Sequence, residues 1–148
     1  VAVINIQGSV FMDASAPPFT IIDDLVERAR REARWVFVDH HAEATSEKVA
    51  MGRYLDGKVT AVVGTHTHIQ TADARVFAGG TAYMTDLGMS GPHDSVIGVR
   101  SEIIVARFRN GAKGRFEPAD GELLVQGAVV RCADDGRALS IEAISVAP

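Results

Sequence analysis

A chain of 148 residues with 47% hydrophobic and 23% charged side chains is long enough for one domain with a core of its own, and its composition excludes a disordered polymer. The formal net charge of −4 argues against a surface built to neutralise many phosphates, so duplex nucleic acid is not an expected partner, while small phosphorylated molecules remain open. A single cysteine, Cys132, rules out an internal disulfide and fits a reducing cytoplasm; no apolar run is long enough to span a membrane.

In chain order, Val1-Ala2-Val3-Ile4-Asn5-Ile6 reads as a core strand rather than as a signal peptide, since it lacks a basic leader. A chain that opens inside a strand without Met is expected to be part of a longer protein. Gly8 to Pro18 is a loop closed by Pro17-Pro18. A helix is predicted over about residues 20–33: Thr20 and Asp23 have capping-box spacing, and Ile22, Leu25, Val26, Ala29 and Ala33 form one apolar stripe. Asp24 with Arg28 and Glu27 with Arg31 are opposed charges four apart. Trp35-Val36-Phe37-Val38 is a central strand ending at Asp39-His40-His41, Ser46–Leu55 a helix, and Val59–Val63 a strand leading into Gly64-Thr65-His66-Thr67-His68. Strand, helix, strand, helix, strand is an α/β arrangement, in which ligands bind at the carboxyl ends of the strands. Beyond Gly80 the expectation turns to β throughout: a strand at Thr81–Thr85, a loop over Gly88–Gly98, a strand at Glu102–Phe108, and a hairpin of Leu123–Cys132 with Ala138–Val146 around Asp134-Asp135-Gly136. Cys132, within such a strand, reads as a buried inert thiol. The whole of 1–148 reads as a single domain.

Four of the five histidines, His40, His41, His66 and His68, fall between positions 40 and 68, each pair just after an apolar run. Imidazole is a common ligand for Zn, Fe and Mn in its neutral form. On an extended backbone His66 and His68 project to the same side, and the strand-helix-strand pattern brings them beside His41, so His41, His66 and His68 are the candidate metal ligands. His40, one residue from His41, points the other way, and His93 reads as an ordinary structural or surface residue. Three imidazoles suffice for one Zn with an open position. Two dications need a screening carboxylate, and the acids nearby are Asp39, Glu43, Asp73 and, further off, Asp86. Asp39 and Glu43 are expected to orient histidine rings and Asp73 to cap the turn at Thr71-Ala72-Asp73, while Thr65 and Thr67 either orient rings or contact phosphate, or are ordinary strand residues. No catalytic acid or base is assigned within the chain.

Three segments, Asp39-His40-His41-Ala42-Glu43-Ala44-Thr45-Ser46-Glu47-Lys48, Val63 through Asp73, and Gly80 through Met89, together with Gln7-Gly8 and the β-rich end, resemble the second half of bacterial calcineurin-like metallophosphoesterases of the 2′,3′-cyclic-nucleotide 2′-phosphodiesterase type. The resemblance covers essentially the whole chain. It implies a portion of a four-layer α/β/β/α sandwich, β-rich toward the C-terminus, acting on cyclic nucleotides or related small phosphodiesters through two divalent or transition-metal ions (Fe, Mn or Zn). It also implies that His41 and His66 bind one ion and His68 the other; the family pattern has an aromatic residue at the position of His40. The early Gly-Asp, the bridging acid and the Asn-His pair of such enzymes have no counterpart here, so the chain is expected to be roughly the C-terminal half, with its open sheet face favouring self-association as a homo-oligomer. The alternatives are a single-metal hydrolase complete within this chain, and a non-catalytic metal-binding or interface module.

Overall fold

The computed structural model describes residues 1–147 of the chain. Five strands form one sheet: β1 (Ala2–Gln7), β2 (Val36–His41), β3 (Ala61–Thr65), β4 (Arg75–Val76) and β5 (Ala82–Met84), in the order β1-β2-β3-β5-β4. The first four in that order run parallel, and β4 pairs antiparallel with β5. Helices α1 (Pro18–Glu32) and α2 (Thr45–Tyr54) connect β1 to β2 and β2 to β3. A second sheet holds β6 (Gly91–Pro92), β7 (Leu123–Cys132) and β8 (Ala138–Val146), and α3 (Ser101–Asn110) lies between β6 and β7.

The predicted stripe of α1 is the one that packs. Ile22 and Val26 are buried against Ile6, Val36 and Val38 of the sheet, with Leu25 and Ala29 at the margin. Met51 and Leu55 of α2 join the same core beside Val62 and Tyr83. Each such side chain contributes roughly 1.5–3 kcal/mol of burial. On the other face the β7–β8 hairpin covers only one side: Ala138 packs on Ala61 and Ala82, with Val76, Val130 and Ile141 around them. The β1 side of that face is open, and Val3 is 70% exposed. The described residues thus form a helix layer, a mostly parallel sheet and a partial hairpin layer.

Several boundaries and one whole element differ from the sequence reading. Thr20 and Asp23 make no capping box: Pro17 occupies the N-cap, Pro18 opens the helix, and the Thr20 hydroxyl donates to the Pro17 carbonyl at 2.8 Å. Asp23 instead accepts from Tyr54 Oη and Lys58 Nζ. Glu27 and Arg31 do pair. β2 continues through His41, and β3 starts at Ala61 rather than Val59. The segment expected as a strand at Glu102–Phe108 is α3, so the remainder is not entirely β. Its apolar residues misled because they are not core: only Ile104 is buried, and Phe108 is 83% exposed. The helical ends carry the correct signals, with Glu102 in the first turn, Arg107 and Arg109 in the last, and Gly111 at φ 66° closing on the Arg107 carbonyl. The hairpin matches its expected bounds, with Gly136 at φ 93° donating to the Ala133 carbonyl. Cys132 is half-buried rather than buried, and burial raises its thiol pKa. Among the described residues no helix is long and apolar enough to cross a membrane.

Candidate functional site

The parallel register sets Gln7, His41 and Thr65 side by side at the carboxyl ends of β1, β2 and β3, with Asn5, Asp39 and Val63 one step below. His41, Asp39 and Thr65 therefore share a face, and His40 is on the opposite one. A chain of hydrogen bonds runs across these strands. Asn5 Nδ2 donates to Asp39 Oδ2 at 2.8 Å, Thr65 Oγ1 donates to Asp39 Oδ1 at 2.8 Å, and His41 Nδ1 lies 3.0 Å from Thr65 Oγ1. With its hydrogen committed to Asp39, the Thr65 hydroxyl accepts from His41 Nδ1–H. The network thus assigns the tautomer of His41 and leaves Nε2 as a lone pair.

His66 follows β3 directly. Its Nε2 lies 3.0 Å from Glu43 Oε2, so the ring donates there, and its Nδ1 faces His41 Nε2 at 3.1 Å. The rings meet edge to face with centroids 4.8 Å apart. At that distance the two nitrogens either share one proton in an N–H···N hydrogen bond or bind one cation in its place. Two imidazoles on one tetrahedral Zn-like ion, at about 2.0–2.1 Å each, have their nitrogens about 3.3 Å apart, so a slight opening of this pair would admit a metal ion.

His66 and His68 do not lie on extended backbone, as expected from sequence. β3 ends at Thr65, and the two residues have φ of 109° and 67°, a region that costs a residue with a β-carbon energy and that concentrates at functional sites. His68 is exposed, and its Nδ1 donates to the Ile97 carbonyl at 3.2 Å, leaving Nε2 free. The structure brings His41 and His66 together with Glu43, but among the described residues no three metal-ligating side chains converge. The expected convergence of three histidines is reduced to a pair plus one separate ring.

The remaining expected residues divide. Asp39, Glu43 and Thr65 belong to the network just described. Thr67 has its amide on Asp86 and its hydroxyl toward the Ile69 amide. Asp73 ties Thr71 to Thr85, accepting from both hydroxyls and from the Thr85 amide; burial raises its pKa, but these donors outweigh that and hold it low. His93 bonds its own loop, at the Gly91 carbonyl. His40 is fully buried with both ring nitrogens unpaired, and burial lowers its pKa; it packs as an aromatic would.

Sequence reading passed over the buried charges of α2. Glu47 accepts from the Ser9 amide and hydroxyl and the Val10 amide, fixing the loop after β1. Lys48 pairs with Asp86 at 2.6 Å, both fully buried. The signal was available: Lys48 lies three and seven residues before Met51 and Leu55, on the face that packs in the core.

Fold and site together define an α/β protein with a histidine site at the carboxyl ends of parallel strands. A family model described as YmdB-like protein matches residues 1–144, and the chain belongs to that family. It is 46% identical over 98% of its length to the 2′,3′-cyclic-nucleotide 2′-phosphodiesterase of Bacillus subtilis (strain 168), covering 55% of that protein. Two crystal structures share the fold: a hypothetical protein from Thermus thermophilus (TM-score 0.90, 40% identity, 97% of this chain and 56% of that one) and a novel phosphatase from Mycoplasma pneumoniae (TM-score 0.88, 34% identity, 97% and 52%). The chain spans about half the length of these relatives.

Proposed function

We propose that the protein carrying this chain is a metal-dependent phosphodiesterase that hydrolyses 2′,3′-cyclic nucleotides or related small phosphodiesters at a dinuclear site. The observation that carries this reading is the close approach of two ring nitrogens, His41 Nε2 and His66 Nδ1, at 3.1 Å on the carboxyl ends of neighbouring strands. His41 and His66 would hold one ion and His68, through its free Nε2, the other. The remaining ligands, a bridging acid among them, and the other layers of an α/β/β/α sandwich would come from residues outside these 148. A complete single-ion hydrolase within the chain has no such support, because among the described residues no third donor joins the pair.

Such ions, which we take to be Fe, Mn or Zn, supply Lewis acidity to phosphoryl oxygens and lower the pKa of a water toward neutrality. The chain's own residues prepare that chemistry. Asp39, braced by Asn5, polarises Thr65, which keeps the His41 proton on Nδ1. Glu43 does the same for His66 at Nε2. Both carboxylates raise the basicity of the ring nitrogens that are left free. The named activity of the Bacillus subtilis relative supplies the substrate class.

His66→Ala in the full-length protein tests the reading. Activity on a 2′,3′-cyclic nucleotide should fall on the order of a thousandfold, since polarisation by a metal ion is worth several kcal/mol. Bound metal should fall with it while the circular dichroism is retained. Undiminished turnover would defeat the assignment.

A further inference from the structure

The turn bearing His66 and His68 leaves the strand ladder at Thr65, and both histidines sit at positive φ. Something outside the ladder has to hold that backbone. Between the two histidines, the Thr67 amide donates to Asp86 Oδ2 at 3.0 Å. The same oxygen receives Lys48 Nζ at 2.6 Å, and Asp86 Oδ1 takes the Gly88 amide at 2.9 Å. The two side chains are 1% and 0% exposed. Gly64 allows this approach: the Leu87 amide bonds the Gly64 carbonyl at 2.9 Å, and a β-carbon there would collide with the Thr85 carbonyl and press on Lys48 Cδ.

A buried ion pair is weakly justified by stability, because apolar residues of similar volume are often as good or better. Apolar residues, however, offer the Thr67 and Gly88 amides no acceptor. We infer that Lys48 and Asp86 are positioning residues for the two-histidine turn: Asp86 fixes the Thr67 amide, and with it the directions of His66 and His68, while Lys48 supplies the countercharge a dry carboxylate needs. Both act through the Thr67 backbone. The inference rests on the proposed role of His66 and His68 as metal ligands.

The experiment compares Zn2+ affinity and thermal stability in the full-length protein for the wild type and two double variants. Lys48→Met with Asp86→Leu removes the charges and the acceptor together; Lys48→Met with Asp86→Asn removes the charges but keeps an amide oxygen for Thr67. The first, with two amides left without an acceptor, should fold but melt below the wild type and bind Zn2+ about 10–100-fold more weakly, while the second should stay within about threefold in affinity, as expected of a group that orients ligands. Wild-type affinity in the Leu variant, or equal losses in both, would overturn the inference. Should the Leu variant fail to fold, amide exchange decides: the Thr67 amide of the metal-free wild type should be strongly protected, and an unprotected one overturns the inference. A wild type that binds no Zn2+ defeats the metal reading instead, and the Thr67 amide still tests positioning.

Discussion

His41 and the His66–His68 turn lie at the carboxyl ends of neighbouring strands but are held by different physics. His41 lies within β2, flanked by β1 and β3 in parallel register, so its direction follows from the pleat. His66 and His68 lie past the end of β3 in left-handed backbone and depend on one buried carboxylate and its lysine. A ligand on a strand survives local change that a ligand on a strained turn does not. The turn should therefore be the fragile half of the site.

The sharpest way to break that contrast is Asp86→Ala. It strands the buried Lys48 ammonium and should cost roughly 3–5 kcal/mol in denaturant unfolding. Asp39→Ala, at a half-buried strand end without a buried cation beside it, should cost much less; equal losses would erase the distinction. Next in size is Thr65→Val, which keeps a β-branched strand residue but cuts the link from His41 Nδ1 to Asp39. Zn2+ affinity in the full-length protein should fall about 10–100-fold, with little change in melting. Glu43→Gln should do less, because that carboxylate is about half exposed.

The smallest effect is in acid. Burial raises the Glu47 pKa, but the Ser9 and Val10 donors outweigh it and set the value below the ordinary 4.5. A carboxyl held low in the fold stabilises it above the ordinary value, and that contribution is lost as pH falls through the lowered one. Unfolding free energy should thus decline below about pH 4.5, less steeply in Glu47→Gln; identical slopes would show that the Ser9–Val10 clamp is not coupled to folding.

The first half of the fold was legible because burial there is written as continuous apolar runs and one helical stripe. Ile22, Val26, Val36 and Val38 are where those runs put them. The second half was less so. Ile103, Val105 and Phe108 look like strand residues, yet α3 leaves Val105 and Phe108 exposed, so hydrophobicity there did not report burial. In the site, strand alternation correctly separated His41 from His40. It failed for His66 and His68 because the strand stops one residue earlier, and no residue type at 66–68 announces a positive φ. Lys48 was hidden by the habit of reading a charged helical residue as solvated, although its spacing to Met51 and Leu55 put it inside.

The most direct test of the central claim is ring-nitrogen NMR of the histidines in the full-length protein during Zn2+ addition. His41 Nε2 and His66 Nδ1 should both move to metal-bound shifts with the same first equivalent, while His41 Nδ1 and His66 Nε2 stay protonated. Zn2+ bound with either of those two lone-pair nitrogens unmoved, or the opposite tautomers, would contradict the shared-ion account.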